Sequence, residues 1–327
     1  MESELKDRLP LPPAPIDLLG KSELELVRVT EAAALAAGRM TGRGDQDKVK
    51  NLAASAMLQA LEELGFRGQV ALGPRGDGIL SAGSRVGVLE GEPSELGVYP
   101  VEGASLVAKG AAHAISMLVA VEPGAFPSLP AVWYVEKIVA GPTARGAIDL
   151  DDELADNLRR IAFARDARVS DLAVAILDRP RHQDLVQQVR DSGARIVLLE
   201  EGEVAGALMA AVEGTGIDAM VGIGGLQETI IAACAVRCLG GEMQARLWPR
   251  NDEERLLAGD EVGRTYGIAD LAPEGLDVAL TGISGGPLLE AVWFGSTYAV
   301  THSMTMSTRF ATVRKLTTRH HRLIEAG

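Results

Sequence analysis

The stretch Leu96-Gly97-Val98-Tyr99-Pro100-Val101-Glu102-Gly103-Ala104-Ser105 decides how this chain reads. It is a strand running into a tight Pro/Gly turn, with one carboxylate, Glu102, pointing out at the turn.

Outward from that turn the elements follow by periodicity. Residues 1–20 carry Pro10, Pro12, Pro13 and Pro15, the composition of an extended arm. Ser22 and Glu25 form a capping box that opens an Ala/Leu/Val-rich helix ending near Gly38 to Gly42. After the loop Gly42-Arg43-Gly44-Asp45, a second helix places Val49, Leu52, Ala53, Ala56, Ala60 and Leu64 on one face, with Gly65 beyond its end. Short strands are expected at 70–72, 85–89 and 97–101, with a loop at Gly73-Pro74-Arg75-Gly76-Asp77-Gly78 between the first two. Core strands follow at 115–121 and 133–140, then an amphipathic helix from Asp152 to about Arg165. Beyond it the rhythm becomes regular: strands at 172–177, 195–199, 218–222 and 277–280, and helices at 183–192, 204–212 and 227–239. Such alternation implies a sheet covered by helices. The expected division is an arm (1–20), an N-terminal α/β subdomain (21–167) and a C-terminal α/β subdomain (168–327).

Composition narrows the function classes. A net charge of −13 argues against sequence-independent nucleic-acid binding, which needs a basic surface. No apolar run reaches the roughly 18 residues of a membrane span, and Met1-Glu2-Ser3-Glu4 is no signal peptide, so a cytoplasmic protein is expected. Cys234 and Cys238 lie four apart in an apolar helical run and read as small buried hydrophobes. The run Gly222-Ile223-Gly224-Gly225 lacks the last glycine of a dinucleotide fingerprint, because position 227 is Gln.

Several runs carry a resemblance. They are Arg28-Val29-Thr30-Glu31-Ala32-Ala33, Gly42-Arg43-Gly44-Asp45, Pro100-Val101-Glu102-Gly103 and Tyr134-Val135-Glu136-Lys137-Ile138-Val139-Ala140-Gly141-Pro142. Leu154-Ala155-Asp156-Asn157-Leu158-Arg159, Pro180-Arg181-His182, the Gly222 run with Glu228, and Thr281-Gly282-Ile283 complete the series. In this order, over roughly residues 22–315, the chain resembles the class II fructose-1,6-bisphosphatases of bacteria, metal-dependent members of the lithium-sensitive sugar and inositol phosphatase superfamily. The resemblance implies a layered αβαβα sugar-phosphatase fold of two α/β subdomains, assembled as a dimer or tetramer.

It also implies site residues, several of them altered. Tyr99 stands where the family has a metal-binding Asp, and Ala104 where it has the Thr that positions water; Ser105 is a hydroxyl one residue late. Lys50 replaces an acidic ligand on the second helix, and is either a solvated surface lysine or a fixed cation in the pocket. Glu102 and Glu228 match surviving metal ligands. The ligand of a Gly-Glu-Gly-Glu loop is missing from the run at Gly73, where Asp77 is a candidate substitute. Phenol ionises near about 10 and suits Mg²⁺ or Mn²⁺ poorly, since both prefer carboxylates.

The substrate-contacting positions are better kept. Tyr134 matches a residue that touches the sugar phosphate, Arg179-Pro180-Arg181 a phosphate-gripping run, and Glu201-Gly202-Glu203 an Asp-Gly-Asp run on sugar hydroxyls. Gly103 and Gly225 fall at backbone positions of the same site. The changes make the site more positive by about the charge of two divalent ions. Lys50, Arg75, Arg179 and Arg181 are then expected to hold a phosphate without metal. The leading expectation is therefore a homologue that binds a sugar bisphosphate such as fructose 1,6-bisphosphate with impaired or lost phosphatase activity. Two alternatives stay open: an active phosphatase using Mg²⁺ or Mn²⁺ at a site rebuilt by Asp45, Asp47 or Asp77, or a purely structural subunit beside an active paralogue.

Overall fold

The computed structural model describes residues 23–74, 76, 78–87 and 93–321. The proline arm, Ser22, Arg75 and Asp77 lie outside the described residues. In chain order the elements are α1 (Glu23–Gly38), α2 (Gln46–Glu63), β1 (Arg67–Leu72), β2 (Arg85–Gly87), β3 (Ser94–Glu102), α3 (Ala104–Lys109), β4 (Ile115–Val121) and β5 (Tyr134–Ala140). Then come α4 (Leu154–Ala164), β6 (Ala173–Leu177), α5 (Gln183–Asp191), β7 (Arg195–Leu199), α6 (Glu203–Ala211), β8 (Ala219–Gly225), α7 (Leu226–Cys238) and β9 (Glu242–Leu247). The chain ends with α8 (Asp252–Ala258), β10 (Thr265–Tyr266), α9 (Ile268–Leu271), β11 (Asp277–Gly282), β12 (Trp293–Phe294), β13 (Tyr298–Ser307) and β14 (Thr312–His321).

Two mixed sheets result. The first runs β12-β13-β11-β4-β3-β1-β2 with β14 paired to β13; the second runs β10-β9-β5-β8-β6-β7. Successive strand residues face opposite ways, and the cores follow that alternation. On β4, Leu118 and Ala120 pack toward α1 and α2, while Met117, Val119 and Val121 pack toward α6 and α7. On β5, Val135 and Val139 face the same α6–α7 layer from the other side, and Ile138 and Ala140 face Leu158 and Ile161 of α4 and Val189 of α5. The order is helix pair, sheet, helix pair, sheet, helix pair: the layered αβαβα arrangement.

Small residues make the middle layer thin. Every residue of α6 from Val204 to Ala211 is buried, with alanine at 205, 207, 210 and 211, and α7 adds Ala232, Ala233 and Ala235. Cys234 is buried there and Cys238 half-buried, both as free thiols whose ionisation burial disfavours.

Sheet membership does not follow one cut at 167/168. β5 and α4 belong with the second sheet, and β11 to β14 return to the first. The C-terminal return is a hairpin of two long strands that the sequence reading passed over. Two of its inner polar residues are buried against polar groups of α1 and β11: Ser303 Oγ lies 2.8 Å from Thr281 Oγ1, itself 2.8 Å from Thr30 Oγ1, and Thr301 donates to Glu31 at 2.9 Å.

Leu118 is fully buried between the α1–α2 layer and the first sheet. Leu118→Ala should lower the unfolding free energy in a urea titration by about 3 kcal/mol, whereas Leu256→Ala, on an 82% exposed residue of α8, should change it by less than about 0.5 kcal/mol.

Candidate functional site

Two acidic turns meet where the sheets come together. The β3 ladder against β4 breaks register between Tyr99 and Glu102, and such a bulge re-aims a side chain. Gly103 then takes a left-handed φ of 81° to open α3, and Gly202 does the same at φ 95° before α6. Glycine adopts this region without strain. Gly202 offers no capping side chain, so the first N–H groups of α6 need an acceptor from elsewhere. Glu102 supplies it. Val204 N–H donates to one carboxylate oxygen and Ala205 N–H to the other at 2.9 Å. Ser105 Oγ donates to Glu201 at 2.6 Å and Lys109 pairs with Glu200 at 3.0 Å, so three side chains around the β3 turn lock onto the turn before α6.

Beside this junction lies an open cleft of about 380 Å³, lined by Glu102, Gly103, Trp133, Tyr134, Leu177, Arg179, Arg181, Glu201, Gly202, Glu203, Gly225 and Glu228. The substrate-contacting residues expected from sequence are thus brought together, apart from Lys50 and from Pro180, which opens the 3-10 turn that carries Arg181. Arg181 donates twice to the Ile223 carbonyl, at 2.9 and 3.1 Å, and stacks over Tyr134 at 4.7 Å. Arg179 donates to the Asp178 carbonyl at 2.8 Å. His182 is buried as a scaffold: its Nδ1 lies 2.7 Å from the Leu177 carbonyl and its Nε2 accepts from Ile223 N–H at 2.8 Å, which fixes the neutral ring. Burial lowers its pKa further.

Lys137 is the residue the sequence reading missed. Its side chain is 1% exposed, pairs with Glu203, and donates to Thr229 Oγ1 at 2.9 Å. The signal was present in the alternation: Val135, Lys137 and Val139 share one face of β5, and both valines are core. Lys50 lies elsewhere. It is half-exposed on α2, pairs with Asp47 at 3.7 Å, and is not among the residues lining the cleft.

The glycine run is the end of β8, strand up to Gly225. Its glycines make room for carboxylates: a Cβ at Gly224 would lie 2.1 Å from Glu203 Oε1, and one at Gly225 1.9 Å from Glu228 Oε2. Gly225 N–H donates to Glu203 at 3.1 Å.

Do these groups fit divalent metals? Glu102 is occupied by two helix N–H groups, Glu203 by Lys137, and Glu228 accepts a hydrogen bond from the Tyr99 phenol. Burial and the Glu228 charge hold that phenol firmly protonated. Asp45 caps α2 through Lys48 N–H at 2.9 Å, and Asp47 is 90% exposed. Among the described residues no group of three or more His, Cys, Asp or Glu side chains is placed to hold a metal. Among the described residues the donor set does not fit the metal ions that the resemblance implies. At the start of α8, Glu254 is buried against Arg250 at 2.8 Å.

Burial, opposed by the two α6 N–H donors and reinforced by Glu203 and Glu228, pushes the Glu102 carboxyl up from 4.5 to about 8. The folded state therefore binds an extra proton between those values. The stability this contributes is complete below 4.5 and lost as pH rises through about 8.

A model of the bacterial, glpX-encoded fructose-1,6-bisphosphatase family matches residues 20–320. The class 2 fructose-1,6-bisphosphatase of Haemophilus influenzae is 34% identical over 319 residues, covering 91% of this chain and 95% of that protein. Fructose-1,6-bisphosphatase 1 class 2 of Escherichia coli K12 is 32% identical over 319 residues, covering 91% and 94%.

Two measurements check the site. Lys137→Met should cost about 3–5 kcal/mol of unfolding free energy by leaving Glu203 unpaired, and Lys137→Met with Glu203→Gln should recover most of it. Between about pH 6 and pH 9 the melting temperature should fall in the parent, and fall less in Glu102→Gln.

Proposed function

The chain belongs to the bacterial, glpX-encoded fructose-1,6-bisphosphatase family, and from that premise we propose that it keeps the family's grip on a sugar phosphate without metal-dependent hydrolysis. The ligand in this reading is a sugar phosphate of carbohydrate metabolism, with fructose 1,6-bisphosphate as the family's example. One phosphate sits against Arg179 and Arg181, whose guanidinium forks suit its oxygens. Tyr134 bounds the sugar, and Glu201 and Glu203 accept from its hydroxyls. The protein acts in the cytoplasm as a homo-oligomer, alone or beside an active paralogue.

One observation supports this reading above the others: the cleft carboxylates that match family ligands are taken by partners from within the chain. Glu102 is held by α6 N–H groups and Glu228 by the Tyr99 phenol, while the neighbouring Glu203 is held by Lys137. Members of this family are metal-dependent, and a metal does what these partners do not. It lowers the pKa of a bound water toward about 7 and so makes hydroxide available for attack on phosphorus. A lysine, a phenol and a helix N-terminus neutralise charge without generating that nucleophile. Nor does a side chain stand in for the water-positioning hydroxyl. Ala104 has none, and the Ser105 hydroxyl is committed to Glu201.

The test is calorimetry and phosphate release on the full chain. Fructose 1,6-bisphosphate at about 100 times its Kd should stabilise the fold by about 2.7 kcal/mol, equally with and without Mn²⁺, and release no phosphate. Stoichiometric Mn²⁺ binding together with turnover at about 1 s⁻¹ or faster would overturn the reading in favour of a rebuilt metal site.

A further inference from the structure

A sugar bisphosphate leaves much of this site unused. The chain has only three tryptophans. Two of them, Trp133 and Trp248, stand 43% and 36% exposed beside Tyr134 at the cleft mouth. Arg250 lies over Trp133 at 4.8 Å and within 5.8 Å of Tyr134, and Trp248 meets Tyr134 edge-on at 6.2 Å. Exposed indoles beside an arginine-lined cleft form a stacking surface, and any base offers a ring face to it.

Behind Trp133 opens a second cavity of about 570 Å³, within the roughly 300–1,000 Å³ range of small-molecule sites. Leu72, Leu129, Val132, Leu226 and Ile230 form much of its wall, and Trp133 is shared with the cleft. Gln227 is part of the same wall, one residue before Glu228, and its amide oxygen is buried with no hydrogen bond. A buried acceptor without a donor is costly, so turning the amide of this part-exposed side chain toward a ligand N–H in the cavity is rewarded.

We propose that the cleft and this cavity together bind a nucleoside 5′-monophosphate. The phosphate lies at Arg179 and Arg181, the ribose by Tyr134, and the base stacks at Trp133 with its amino group toward Gln227. This rests on the phosphate-binding reading of the cleft. It adds the chemical class of the ligand, which is a monophosphate carrying a planar, amino-bearing ring rather than a bare sugar.

The experiment compares adenosine 5′-monophosphate, ribose 5-phosphate and adenosine by titration calorimetry and tryptophan fluorescence on the full chain. The nucleotide should bind at least about tenfold tighter than ribose 5-phosphate, the scale of one base–aromatic stack, and should quench the indole emission. Leu129→Trp, which fills the cavity, should bring nucleotide affinity down to that of ribose 5-phosphate while leaving ribose 5-phosphate binding unchanged. Gln227→Leu should lower nucleotide affinity in the same direction. If ribose 5-phosphate binds and the nucleotide binds no tighter, the inference is overturned and the sugar-phosphate reading stands. If adenosine binds while neither phosphate ester does, the cavity is a base site and the cleft reading falls. Binding of none of the three overturns both.

Discussion

The bond between Glu102 and the first turn of α6 is the constraint on which the site depends. It joins the end of a strand in the first sheet to the helix that separates the two sheets, with both carboxylate oxygens used. A helix N-terminus presents unsatisfied N–H groups and a partial positive charge, and a buried carboxylate is among the best partners for both. Local backbone is shaped for it. A bulge turns Glu102 inward, and Gly103 and Gly202 take conformations that L side chains rarely adopt. This anchor engages both oxygens, so Glu102 serves first to fix the start of α6 against the end of β3.

The other carboxylates obey the same rule by different means. Burying a charge is costly unless it is paired, and here each has been given a partner from a different element. Glu203 on α6 meets Lys137 from β5, and Glu228 on α7 meets Tyr99 from β3. Gly224 and Gly225 let these carboxylates approach the strand backbone closely, where any side chain would collide. The glycine run thus serves carboxylate packing rather than anion binding.

What was legible in the sequence follows from period and position. Strand alternation divides β4 between two cores residue by residue; on α2 the expected stripe is buried at Val49, Ala53 and Leu64, but Leu52 is exposed and Met57 and Leu61 complete the buried face instead. Motif order located the cleft through Tyr134, Arg179, Arg181, Glu201 and Glu203. Two features escaped because their residue types usually mean solvent. Lys137 reads as an exposed lysine until it is noticed that its face of β5 is otherwise valine. The β13–β14 hairpin reads as polar because Thr301 and Ser303 are buried by bonds to Glu31 and Thr281, which lie far away in sequence. Lys50 illustrates the reverse: a motif position specifies where a residue falls along a helix, but α2 buries Val49, Ala53, Met57 and Leu61, and Lys50 is off that stripe.

Pairing from within also makes the two ends of the cleft unlike. At one end Arg179 and Arg181 are tethered through backbone carbonyls, which leaves guanidinium edges for a phosphate. At the other, Glu102, Glu203 and Glu228 converge around Tyr99. There Lys137 offsets one carboxylate charge and the protonated Tyr99 phenol offsets none, so that end stays acidic. An anion there would meet carboxylate oxygens at short range in a low-dielectric site, where like charges repel most strongly. A phosphate at the arginine end suffers no such penalty. Pairing within the chain thus leaves a cleft with a cationic end at Arg179 and Arg181 and an acidic end at Glu203 and Glu228.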